Sequence, residues 1–271
     1  MKRENKPQTE EVAIVDHGAV STGEIDFLAD AGQGLEQATS SDFQMPFLAV
    51  LQSNSPQVKR GDAKYIDGAK AGDFLNTVTG ETYDGEKGVL FIPCHYYREV
   101  IEWKPRNLGG GMIGRHPAGS LASLTASKNA KNVPLSAAGN ELRDTAYHPG
   151  LLVDGKNVTQ INLSFTSTQL KKSRRLLSTI ASQKIPGKGA SYASFAQIYR
   201  LRLVSEQNNE GTWYGLHITF EGIISDPQIY TKAREFYGLW AAGMLQVGNV
   251  PQDAQNDAPA GVGADDDNTP F

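Results

Sequence analysis

Apolar and polar residues alternate with a period of two along much of the chain, which predicts strands. Residues 46–52 form a short apolar run, and residues 72–78 supply a second candidate strand, followed by turn signals at Thr79-Gly80 and Asp84-Gly85. Residues 88–103 form a third. Val89-Leu90-Phe91-Ile92 precedes Pro93, which suits an edge or a bulge, and the run from His95 to Trp103 is rich in β-branched and aromatic residues. Over 158–165, Ile161, Leu163 and Phe165 alternate with Asn162 and Ser164. Over 197–204, Tyr199, Leu201 and Leu203 oppose Arg200 and Arg202. Over 212–224, Tyr214, Leu216, Ile218 and Phe220 oppose Trp213, His217, Thr219 and Glu221. Gln207 to Gly211 reads as the hairpin connection between these last two strands. Matching their core faces puts Arg200, Arg202, Trp213 and His217 on one outer face.

Helical spacing occurs in two places. Ser167 or Thr168 can cap a helix running to about Gln183, with Leu170, Leu177, Ile180 and Ala181 on its apolar side. Asp226-Pro227 then pairs an N-cap residue with a proline at the first helical position. Ile229, Ala233, Phe236, Tyr237, Trp240 and Met244 make the apolar stripe of this second helix, which is expected to end near Gly248. Residues 107–150 are dominated by Gly, Ser, Ala, Asn and Pro and read as a loop insertion. Residues 1–45 read as a polar acidic arm and 248–271 as a disordered acidic tail, leaving one domain over 46–247.

Charge sharpens this division. The 271 residues carry a formal net charge of −4, yet residues 46–249 hold 23 basic and 16 acidic groups, a net of +7. A basic body therefore lies between two acidic ends. Because screening limits charges to about 10 Å, a polyanion responds to the local patch more than to the total. No stretch is apolar and long enough to cross a membrane, and the lone Cys94 rules out an internal disulfide and fits a reducing cytoplasm.

The strongest local signal runs from Gly155 to Ser205. It holds nine basic residues (Lys156, Lys171, Lys172, Arg174, Arg175, Lys184, Lys188, Arg200 and Arg202) and no carboxylate. Four of them crowd the first two turns of a helix, where cations oppose the macrodipole. Tyr192, Phe195 and Tyr199 lie in the same span, Tyr199 reading as core. Cations that track phosphates and aromatic faces that stack on bases are what an unpaired nucleic-acid strand requires. Trp213 on the hairpin joins this candidate set, and Tyr96, Tyr97, Trp103, Lys104 and Arg106 form a second one. Adjacent Tyr96 and Tyr97 must point to opposite faces, so one of them is inside. The five histidines show no zinc spacing, and neither a P-loop nor a nucleophile elbow is present, so neither enzymatic activity nor a cofactor is expected.

The chain closes on Asp265-Asp266-Asp267-Asn268-Thr269-Pro270-Phe271. This acidic run ending in Pro-Phe resembles the C-terminal tip of the bacterial single-stranded DNA-binding protein family. With the basic body, the chain resembles the bacteriophage class of such proteins. The resemblance implies coating of single-stranded DNA in the host cytoplasm. It also implies that Asp265, Asp266, Asp267, Pro270 and Phe271 recruit replication or recombination proteins. The element order suits a mainly β protein, an elaborated OB-fold barrel with added helices. Its strands would be 46–52, 72–78, 88–103, 197–204 and 212–224, with the 168–183 helix between the third and fourth. Homo-oligomerisation stays open. The alternatives are a virion structural or decoration protein and a strand-annealing recombination protein.

Overall fold

A computed structural model describes residues 29–245, apart from 32, 40, 41, 156, 167, 168, 209 and 210. The chain divides into two compact units, 1–39 and 40–271. The described part of the first consists of turns, such as the Gln33 amide donating to the Asp30 carbonyl at 3.1 Å.

The second unit is mainly β with added helices, as the alternation predicts. Its strands are β1 (Leu48–Val50), β2 (Asp73–Asn76), β3 (Thr82–Asp84), β4 (Val89–Pro93), β5 (Tyr97–Trp103), β6 (Met112–Pro117), β7 (Ser127–Lys128), β8 (Pro134–Leu135), β9 (Glu141–Asp154), β10 (Asn157–Thr166), β11 (Gln197–Asn208) and β12 (Gly211–Ile223). The helices are α1 (Leu121–Leu124), α2 (Leu170–Ser182) and α3 (Pro227–Ala241).

Strand β9 is the axis of the larger sheet. One of its edges pairs with β10, and the other pairs with β5 over residues 141–147 and with β4 over 150–153. Between β4 and β5 the Pro149 carbonyl accepts both the Cys94 amide at 2.9 Å and the His95 amide at 3.0 Å, a bulge that sets two residues against one. The bulge sends β4 outward to β11 and β12, and β5 outward to β6. Gly150 fills the closest approach, since a Cβ there would overlap the Ile92 carbonyl and the Phe91 ring.

Three expectations are corrected here. Residues 107–150 are not a loop insertion, because β6, α1, β7, β8 and most of β9 lie within them. Burial on both faces holds Pro149-Gly150 extended within β9. Asp84, read with Gly85 as a turn, is the last residue of β3, which completes a separate three-stranded sheet β1-β2-β3. The segment 88–103 therefore leaves that meander and joins the larger sheet.

The two sheets are joined by backbone bonds and by the Gln52 side chain beside β1, which donates to the Tyr214 carbonyl at 2.9 Å and accepts the Tyr214 amide at 2.8 Å. The Asn162 amide of β10 donates to the Pro46 carbonyl at 2.8 Å, and the Leu203 amide of β11 donates to the Gly85 carbonyl at 2.8 Å. Between them lies a core of Leu48, Val50, Phe74, Phe91, Leu152, Ile161, Leu163, Phe165, Leu201, Leu203 and Leu216. This core is enclosed, but no continuous ladder closes an OB-type barrel around it.

Helix α3 covers a second core on the opposite face through Ile229, Ala233, Phe236 and Trp240. Its start follows the sequence: the Asp226 side chain accepts the Gln228 and Ile229 amides, with Pro227 at the first position. It ends at Ala241, before the expected Gly248. Gly243 adopts φ 69°, with the Gly243 amide donating to Trp240 and the Met244 amide to Leu239, a Schellman stop that leaves Met244 exposed.

Helix α2 packs beside β9 and β10 and buries Ser173 and Leu176. The Ser173 hydroxyl lies 2.8 Å from Nε2 of His148, a side chain 1% exposed whose burial pushes its pKa down to about 3. Below pH of about 6.5 the unfolded imidazole takes up a proton that the folded one refuses, so stability falls with pH. From pH 7 to pH 5 this residue is expected to remove about 2 kcal/mol of unfolding free energy. Urea melts of His148→Gln should then show a shallower decline than the parent. Burial raises the Glu99 carboxyl pKa, which acts in the opposite direction but equally in both proteins. Equal slopes would contradict this assignment.

Candidate nucleic-acid interface

Antiparallel pairing of β11 with β12 sets Arg200 opposite Thr219, Arg202 opposite His217, Val204 opposite Gly215 and Glu206 opposite Trp213. Residues directly opposite share a face, so this side of the hairpin carries Arg200, Arg202, Glu206, Trp213 and His217. The alternate residues Tyr199, Leu201, Leu203 and Leu216 are buried. The hairpin thus presents the polar face that its alternation predicts.

Helix α2 is tied to this hairpin at both ends. The buried Gln197 side chain, at the start of β11, donates to the carbonyls of Ile180, Tyr192 and Ala193. Near the other end of α2, the Lys172 ammonium binds Oε1 of Glu206, while Oε2 accepts the Trp213 indole N–H at 2.9 Å. Lys171, Arg174 and Arg175 are exposed around Lys172, and no acidic residue stands in the first turn of α2. The N-cap is Gln169, without a side-chain cap, so the helix start itself does not offset the local cost of these cations; Glu206, from the hairpin, pairs with Lys172. Ser167 and Thr168 lie outside the described residues.

Carboxylates beyond the basic span reach back into it. Besides Lys172 with Glu206, Arg200 Nε donates to Glu221 at 2.8 Å. Between these two ion pairs sit Arg202, exposed and with no carboxylate partner among the described residues, and His217, also exposed. The Lys172–Glu206–Trp213 contacts bring the start of α2, with its exposed cations, to the hairpin face that carries Arg202 and His217. Lys184 and Lys188 are exposed in the turn after α2, where the Lys184 ammonium donates to the Ser191 hydroxyl at 2.8 Å. Tyr192 is half-buried in the same turn. These residues stand at the far end of a helix about 20 Å long.

Three aromatic assignments are corrected. Phe195 packs on α3, with ring centroids 5.0 Å from Tyr237 and 5.8 Å from Tyr230. Tyr97 stacks between Tyr147 at 4.7 Å and Trp240 at 5.6 Å, and this burial pushes its hydroxyl pKa up. Trp103 is 2% exposed in the same core. Tyr97 and Trp103 share one face of β5, and α3 covers that face, so neither can stack on a base. Lys104 and Arg106 are exposed but remote. Trp103 pairs with Glu141, whereas the α2 contact His148 is seven residues farther along β9, roughly 23 Å away.

The structure adds Glu206, which charge and composition did not single out, and it turns Tyr96 of the second candidate set outward. Tyr96 is the outward partner of Tyr97, 37% exposed, with its ring 5.1 Å from His148 and so within two side chains of α2. Its signal was the alternation itself: once Trp103 is inside, Tyr97 is inside and Tyr96 outside. Glu206 lies one residue beyond the carboxylate-free span and on the same face as Arg200 and Arg202 by period two. Asp265, Asp266, Asp267, Pro270 and Phe271 lie outside the described residues. Among the described residues there is no cluster of three metal-ligating side chains and no helix long and apolar enough to cross a membrane.

A family model described as Pam3 phage gp34-like protein matches residues 18–246. The match stops short of the acidic tip. No curated protein and no solved structure matches the chain.

The aromatic assignments give a direct stability contrast. Trp103→Ala is expected to lower the unfolding free energy by about 3–5 kcal/mol. Tyr96→Ala should cost less, about 1–2 kcal/mol, because its ring is 37% exposed. Denaturant melts of both variants check this; equal losses would put Tyr96 in the core.

Proposed function

Since the chain belongs to the Pam3 phage gp34-like protein family, we propose that it is a phage protein that binds single-stranded DNA without regard to sequence. The interface comprises Lys171, Lys172, Arg174 and Arg175 on α2, with Arg202, His217 and Trp213 on the hairpin, and Tyr96 extends it along β5. The observation that carries the reading is the joining of the uncapped, cation-crowded start of α2 to the one tryptophan of three that is not buried. Phosphates would follow the cations, and bases would stack on Trp213, an interaction that contributes about 1–3 kcal/mol per base and accepts any sequence. Coating of this kind protects exposed strands and prevents their re-pairing during replication or recombination in the host cytoplasm. The tail has a separate part, in which Phe271 and the acidic run recruit replication or recombination proteins. The same acidic run competes with DNA for the basic face, so that DNA binding frees the tail.

Two experiments test these parts. Changing Lys171, Lys172, Arg174 and Arg175 together to Ala should weaken binding to oligo-dT and flatten its salt dependence, by about 0.7 in log–log slope for each phosphate that the variant no longer neutralises. An unchanged slope would move the site elsewhere. Deleting residues 265–271 should keep or raise affinity for oligo-dT while abolishing capture of replication proteins. Weaker DNA binding by the truncated protein would sink the competition between tail and DNA.

A further inference from the structure

Position 215 is a glycine against which the end of a flexible side chain closes. Its backbone is not in the left-handed region, so strand geometry does not demand it. A Cβ there would instead overlap the Glu206 carboxylate, which lies across this notch in β12. Seated in the notch, the carboxylate receives the Lys172 ammonium on one oxygen and the Trp213 indole N–H on the other. One cation and one neutral N–H donor, from α2 and β12, thus converge on a single small oxyanion. That donor set is also suited to a phosphate oxygen.

Building on the single-strand binding proposed above, we propose that Glu206 is an internal stand-in for a DNA phosphate. It holds Lys172 and Trp213 in their binding positions, and it leaves the Gly215 notch when a strand arrives. The exchange is electrostatically simple. Lys172 trades one anionic partner for another, and the Trp213 N–H moves from a carboxylate oxygen to a phosphate oxygen. Glu206 is partly exposed, with its side chain 28% accessible, so it can swing into solvent without opening the core. The ion pair it leaves is partly exposed too and therefore weak, which lets a phosphate displace it. The site is kept preorganised at the expense of affinity, which suits a coating protein that must also be removed.

The test uses the full chain and fluorescein-labelled oligo-dT, read by anisotropy at low salt. Glu206→Gln removes the competing charge, and Gly215→Ala pushes the carboxylate out of its notch without changing any charge. Both variants are expected to bind roughly three- to tenfold more tightly than the parent. Both gains should disappear in a Lys172→Ala background. If Glu206→Gln melts like the parent but binds no more tightly, the stand-in role is overturned while the DNA-binding proposal survives. The role is likewise overturned if the gain persists without Lys172. A parent protein that does not bind oligo-dT overturns both.

Discussion

The fold depends on how β9 passes through His148-Pro149-Gly150. Each of these residues does something that its neighbours require. The Pro149 carbonyl takes two amides from the bulge at Cys94 and His95, which separates β4 from β5 and sends them to different outer strands. Gly150 lets β4 approach until the Phe91 ring and the Ile92 carbonyl occupy the space of a side chain. His148, uncharged and almost fully buried, receives α2 through Ser173. The position of the hairpin, the exposure of Tyr96 and the seating of the cation-bearing helix all follow from these three residues.

That frame explains why the two faces of the larger sheet differ so sharply. One face is closed by α3, where Tyr97 stacks with Tyr147 and with Trp240 of the helix and Trp103 is buried in the same core. The other face encloses the second core with the small sheet. Outside that core the β11–β12 hairpin turns its polar side outward beside α2. The cations and the accessible indole gather there, and a carboxylate already occupies the seat between them.

Strands and helices with regular alternation were legible in the sequence: β10, the hairpin, α2 and α3 lie close to where their periods place them. The hairpin's outer set of Arg200, Arg202, Trp213 and His217 was legible for the same reason. What period alone could not supply was pairing. Residues 141–154 mix polar groups with an internal Pro-Gly, and only burial on both faces makes them a strand. Tyr97 and Trp103 carry the composition of a stacking site, but their fate depends on where α3 docks some 130 residues later. Glu206 was not legible as part of the site, because the carboxylate-free span ends one residue before it. Its strand partner lies seven positions on, and its cation lies on another element.

The central claim is that the outer face of the hairpin and the start of α2 hold an unpaired strand. The most direct measurement is an equilibrium gel shift of the full chain with labelled oligo-dT and with duplex DNA of equal length, at matched salt. The account predicts clear preference for the single strand, because stacking on Trp213 needs bases that are free to unstack. Binding to neither substrate, or a preference for the duplex, would contradict it.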